Sequence, residues 1–125
     1  LSGNMHKVFT GVCLTSKSKS KSFFVESDVY FRKLSGAEIK FYVDEYAPFD
    51  KAGSYGAQEC LKAGVNPLSS EEKNFLTKFG AENLFESTKS VIEKKQVAFI
   101  DHIEGSYFNV MGLPVVELYH EIQNF

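Results

Sequence analysis

Tryptophan is absent from this chain, cysteine occurs twice and proline three times in 125 residues. Cys13 and Cys60 lie far apart and form no C-x-x-C pair, which argues against both a disulfide framework and a zinc site. A reducing cytoplasm is the compartment expected from that usage. Also missing is any apolar run near the roughly 18 residues of a membrane span, and no signal-peptide pattern opens the chain. A soluble protein with no membrane partner is expected. Charge of one sign is lacking too: the formal net charge is −2, which offers no basic field for a long nucleic acid. A small anion would have to be held by a few local groups. Hydrophobic residues, by contrast, make up 43% of the chain, enough for one core in a single domain over 1–125. Because the chain opens on Leu1 already in the approach to a strand, a fragment or a partly ordered chain is expected.

Val8, Thr10, Val12 and Leu14 alternate with Lys7 and Phe9, which predicts a strand over 6–15. The Lys/Ser run 16–22 predicts a solvated turn, and Phe23, Val25, Ser27, Val29 and Phe31 predict the second strand of a long hairpin. Three lysines at such a tip read as solvated loop and carry no site. Ser35-Gly36-Ala37-Glu38 has the form of a capping box. The helix it starts has Ile39, Tyr42, Val43 and Tyr46 on one apolar face and is ended by Pro48.

Further on, Ser69-Ser70-Glu71-Glu72 offers a helix start before Phe75, Leu76 and Phe79. A second helical face is expected at Leu84, Phe85, Thr88, Val91 and Ile92. Residues 97–103 and 107–111 are apolar, partly β-branched and joined at Glu104-Gly105-Ser106, which predicts a second hairpin. Pro114 suits the first turn of a last helix that faces the core with Val115, Leu118, Tyr119 and Ile122. Strands interleaved with helices make the expected fold class α/β, a mixed β-sheet with flanking helices.

The stretch Asp50-Lys51-Ala52-Gly53-Ser54-Tyr55-Gly56-Ala57-Gln58 has almost nothing to bury. Its composition is that of a loop that touches a ligand rather than one that only connects. Lys51 is the candidate phosphate contact, and Asp50 the candidate for orienting it or for binding a metal indirectly. The other reading of that pair is an acid and a base simply exposed to water. Ser54 and Tyr55 are candidates to hydrogen-bond sugar or phosphate, while Tyr55 equally suits packing the loop down. Gln58 can donate and accept at once, which matches the edge of an uncharged base. His6, His102 and His120 have no metal-ligand spacing, and no residue is assigned as a metal ligand.

With Leu1-Ser2-Gly3-x-x-His6-x-Val8-x-Thr10, Ser27-Asp28-Val29-x-Phe31 and Gly105-Ser106-Tyr107-x-Asn109-Val110-x-Gly112-Leu113-Pro114, the loop completes four motifs in order. Together they resemble the Maf family of nucleoside triphosphate pyrophosphatases, in the branch that prefers dTTP and UTP. The likeness covers 1–58 and 96–125, and 59–95 departs from it as a helical insertion, either a lid or partner surface or a packed decoration. The resemblance implies the C-terminal part of a Maf/inosine-triphosphatase-like domain. It also implies a cytoplasmic homodimer, a divalent metal (magnesium or manganese), and a role in nucleotide-pool cleansing or septum formation.

The family's catalytic aspartate and Ser-Pro-Arg-Arg segment are expected ahead of Leu1, so no catalytic residue is assigned in this chain. Hydrolysis to the monophosphate and pyrophosphate needs an activated water and cations on the phosphates. The chain is therefore expected to carry base recognition without the acid/base machinery. The family's branch associated with 7-methyl-GTP has a glutamate where Gln58 stands. Ala57 replaces a more usual isoleucine and Glu59 a more usual glycine. The rival expectation from another class is a non-catalytic nucleotide-binding or interaction module.

Overall fold

In the computed structural model, which describes residues 1–83 and 97–125, the expected hairpin forms. β1 (Met5–Thr15) and β2 (Ser20–Phe31) pair antiparallel from Met5 opposite Tyr30 to Thr15 opposite Ser20. Side chains alternate between a covered and an exposed face, as period-2 patterning requires. The covered face deepens along β2, and Ser27, Val29 and Phe31 are buried. At the tip, Ser16 accepts from the Ser18 and Lys19 amides through its hydroxyl. Lys19 Nζ lies 4.6 Å from the Phe125 ring centroid and Lys21 pairs with Glu121, so two of the tip lysines fasten the hairpin to the last helix.

A third strand, β3 (Ile100–Glu104), runs antiparallel on the other side of β2, in the order β1-β2-β3. The three described strands are therefore all antiparallel, with helices alongside, in keeping with the α/β class. α1 (Gly36–Tyr46) starts on the capping box read from the sequence: the Ser35 hydroxyl takes the Glu38 amide, and the Glu38 carboxylate takes the Ser35 amide. It ends at Ala47, whose φ of 41° is left-handed, just before Pro48. Of the face expected to pack, Tyr42 is buried and Val43 and Tyr46 are half-buried, whereas Ile39 stays exposed.

After the loop, a single turn α2 (Ala57–Cys60) leads to α3 (Ser70–Lys78). Ser69 and Glu72 form a second capping box at the start of α3. Leu76 is buried, Phe75 half-buried and Phe79 exposed. The helical face expected at Leu84, Phe85, Thr88, Val91 and Ile92 lies outside the described residues.

The second hairpin is corrected by the structure. Ile100–Glu104 is a strand, but Tyr107–Met111 is a helix, α4. Gly105 turns with φ 104°, and the Ser106 hydroxyl accepts from the Asn109 amide as an N-cap. Apolar, β-branched composition loses here to capping and to contacts from elsewhere in the chain. The last helix, α5 (Val115–Gln123), follows Pro114. Its buried residue is Val116, with Val115, Leu118 and Tyr119 half-buried and Ile122 exposed, so the inward face is rotated by about a residue from the one expected. Tyr119 stacks edge-on against Phe75 and Phe79, joining α5 to α3.

Candidate functional site

The loop between α1 and α2 is closely held. Residues 52–54 make a tight helical turn in which Gly53 (φ 69°) and Ser54 (φ 57°) both take left-handed conformations. Glycine adopts that region freely, but serine does so at a cost, and such strain persists only where the surroundings enforce it. The Ser54 amide bonds to the Lys51 carbonyl at 3.0 Å. Tyr55 is the anchor: it is buried, its hydroxyl lies 2.7 Å from His6 Nε2, and its ring meets Phe31 and His6 edge-on. Burial pushes the Tyr55 phenol up from its ordinary pKa. Of the two roles open for Tyr55 in the sequence, its placement matches packing the loop down.

Tyr42 holds the other end. Its hydroxyl accepts from the Gly56 amide at 2.8 Å and donates to Glu59 Oε2 at 2.9 Å, tying α1 to the turn that carries Gln58. Gly56 is closely approached: a Cβ there would stand 3.0 Å from Glu59 Oε2 and 3.3 Å from Lys51 Cε, the far ends of two flexible side chains. The end of Lys51 and the Glu59 carboxylate therefore converge over Gly56. Asp50, Lys51 and Ser54 are exposed, and Gln58 is half-buried on α2. The structure thus brings the end of Lys51 and the Glu59 carboxylate together over Gly56, while Gln58 and Glu59 share the turn Ala57–Cys60. Tyr42 and His6 contribute contacts that the sequence reading missed. Both were legible only as an apolar-face residue and a structural histidine, because their partners lie 14 and 49 residues away.

Neither cysteine is bonded. Burial pushes the Cys60 thiol up to about 12, so it sits behind the loop as an inert apolar side chain. Cys13, exposed on β1, is brought down to about 7 by hydrogen bonds from Ser20, Ser22 and Thr15. Among the described residues no group of His, Cys, Asp and Glu comes together as a ligand set for a metal ion. Asp50 in particular has no companion acid in such a set.

Two predictions arise here. In Tyr42→Phe the Gly56 N–H loses its acceptor in a buried site, which should cost about 1–3 kcal/mol, read as a lowered Tm. An unchanged Tm would show that the Gly56 amide finds another partner. The second concerns His6, whose pKa is held below the ordinary value of 6.5 by burial. Below about pH 6.5 the unfolded chain takes up this proton first, so stability should fall as pH drops from there towards the lowered folded value. Above that pH both states are neutral at His6 and nothing is gained. Thermal unfolding of wild type and His6→Gln between pH 7 and pH 5 should show a shallower fall in the variant, and parallel curves would exclude a contribution from His6.

Fold and site define an α/β chain that presents a polar loop and a half-buried carboxamide on a backbone fixed from both ends, an arrangement suited to a small polar ligand. Residues 1–76 and 88–125 match the family model described as Maf-like protein, and the chain belongs to that family. Of the segment 59–95 read above as an insertion, the family model matches 59–76 and 88–95 and leaves out 77–87.

A dTTP/UTP pyrophosphatase of Bacteroides thetaiotaomicron is 40% identical over 124 residues, which is 98% of this chain and 46% of that protein. One from Parabacteroides distasonis is 38% identical over 125 residues, covering 100% of this chain and 47% of the relative. One from Bacillus cytotoxicus is 33% identical over 125 residues, 47% of its length. The chain spans about half the length of the curated relatives it matches. No described helix is long and apolar enough to cross a membrane.

Proposed function

We propose that this chain is the base-recognising part of a nucleoside triphosphate pyrophosphatase that converts dTTP and UTP to the monophosphate and pyrophosphate. The observation that carries the reading is Gln58 on a turn tied down by Tyr42 and preceded by the buried Tyr55, with the end of the exposed Lys51 close to Gly56 at the start of that turn. The names of the relatives supply the nucleotides. In this reading the Gln58 carboxamide donates to O4 of uracil or thymine and accepts from N3–H, an uncharged match to an uncharged base. Lys51 is the phosphate contact, Asp50 orients it, and Ser54 hydrogen-bonds sugar or phosphate. Tyr55 acts by holding the loop rather than by touching the ligand.

The activating acid and further phosphate-binding cations belong to the half of the domain that this chain does not span. A divalent cation, magnesium or manganese, would neutralise charge on the phosphates, with the phosphates themselves among its ligands. A homodimer active in nucleotide-pool cleansing is supported by the family resemblance, and a cytoplasmic location by the sparse, unpaired cysteines. The test is pyrophosphate release by the intact protein from a panel of nucleoside triphosphates. Turnover of dTTP and UTP ahead of ATP, GTP and 7-methyl-GTP is expected. A purine preference, or orthophosphate as the product, would sink the reading, and binding without turnover would favour the non-catalytic module.

A further inference from the structure

Glu72 is 1% exposed, and no cation pairs with it among the described residues. A carboxylate so placed must be satisfied by hydrogen-bond donors. Its Oε1 accepts from the Ser69 and Tyr107 amides, each at 3.0 Å. Its Oε2 accepts from the Ser106 hydroxyl at 2.7 Å and from the Phe108 amide at 2.9 Å. The Tyr107 and Phe108 amides open α4 and have no acceptor within that helix. With five residues, α4 is too short to persist unaided, so its place is set by whatever grips it.

One grip comes from the sheet. Asn109 Nδ2 lies 3.1 Å from the Val8 and Val25 carbonyls and 3.0 Å from the Ser27 hydroxyl, and that hydroxyl donates to the Ser106 carbonyl. The other grip is Glu72. α4 in turn packs on α2, with Tyr107, Ala57 and Cys60 in the same core cluster.

We propose that Glu72 is a positioning residue for Gln58: the carboxylate seats α4, and α4 forms the wall against which the α2 turn is held. The inference rests on the reading of Gln58 given above. The chain thus leaves the recognition turn at Cys60, runs out through 61–69, and returns a charged group that fixes the turn's support.

The test is Glu72→Gln in the intact protein. The amide keeps the shape but replaces one acceptor oxygen with an NH2 that faces N–H and O–H donors. Amide exchange at Ala57–Cys60 should speed up several-fold while β1 and β2 hold their wild-type protection. The kcat/KM ratio for UTP over 7-methyl-GTP should fall several-fold, with more of the change in KM for UTP than in kcat. Glu72→Asp, which keeps the charge, should restore part of the ratio. Faster exchange confined to α3 and α4, with α2 protection and the nucleotide ratio at wild type, would overturn the inference and leave Glu72 a purely structural residue.

Gln58→Glu, run in parallel, separates the two ideas. If it shifts the ratio and Glu72→Gln does not, the positioning role alone fails. If Gln58→Glu has no effect, the base reading fails, and α2 exchange then decides whether Glu72 seats the turn. Should Glu72→Gln not fold, Ser106→Ala removes one of the four donors, and the same two readouts apply with smaller changes.

Discussion

In Gln58→Glu the ratio of kcat/KM for UTP over 7-methyl-GTP is expected to fall by roughly 5- to 150-fold, corresponding to roughly 1–3 kcal/mol. A carboxylate cannot donate to O4, and its charge has no counterpart on a neutral pyrimidine. A methylated, cationic purine would be attracted instead. Two contacts that hold the turn, the Tyr42 hydroxyl on the Gly56 amide and the Tyr55–His6 contact, remain in this variant. Lys51→Ala is the matching control: a phosphate contact serves every nucleoside triphosphate, so both substrates should lose activity together. A wild-type ratio in Gln58→Glu would mean that this carboxamide supports the loop without reading the base.

The second large effect concerns the chain by itself. Residues 1–125 given dTTP or UTP with magnesium should release no pyrophosphate at a rate resembling that of the intact protein. The proposed division of labour leaves the water-activating acid and the phosphate-binding arginines elsewhere. Their loss forfeits on the order of several kcal/mol of transition-state stabilisation. Pyrophosphate release by the purified chain, free of contaminating phosphatase, would show that the catalytic groups have been misplaced.

Features written in adjacent residues were legible in the sequence. Both capping boxes are local, Ser35 with Glu38 and Ser69 with Glu72, and both form. The hairpin is legible because alternation over 5–15 and 20–31 leaves one pairing that buries Ser27, Val29 and Phe31 together. The helix at Tyr107–Met111 was not legible, since five mostly apolar residues carry no period long enough to separate strand from helix. What decides it is a carboxylate some 35 residues earlier in the chain.

The same division runs through the site. The polar composition of 50–58 marked the loop, and its exposure of Asp50, Lys51 and Ser54 follows from having little to bury. Tyr42 could be placed on a buried face by helical spacing, but nothing local shows that its hydroxyl would cap Gly56. Ile39 shows the converse failure: it sits at the right spacing yet remains exposed. Glu72 was readable as half of a capping box. Its second task, seating α4, depends on a fold that brings α3 over Ser106, and helical periodicity carries no such information.

The most direct measurement is a crystal structure of the intact protein with a UTP analogue that cannot be cleaved between the α- and β-phosphates. The uracil edge should lie against Gln58, with the carboxamide hydrogen-bonded to O4 and N3, and Lys51 should reach the phosphates across Gly56. A uracil ring bound away from the 50–58 loop, with Gln58 contacting only protein, would contradict the assignment of this chain as the part that reads the base.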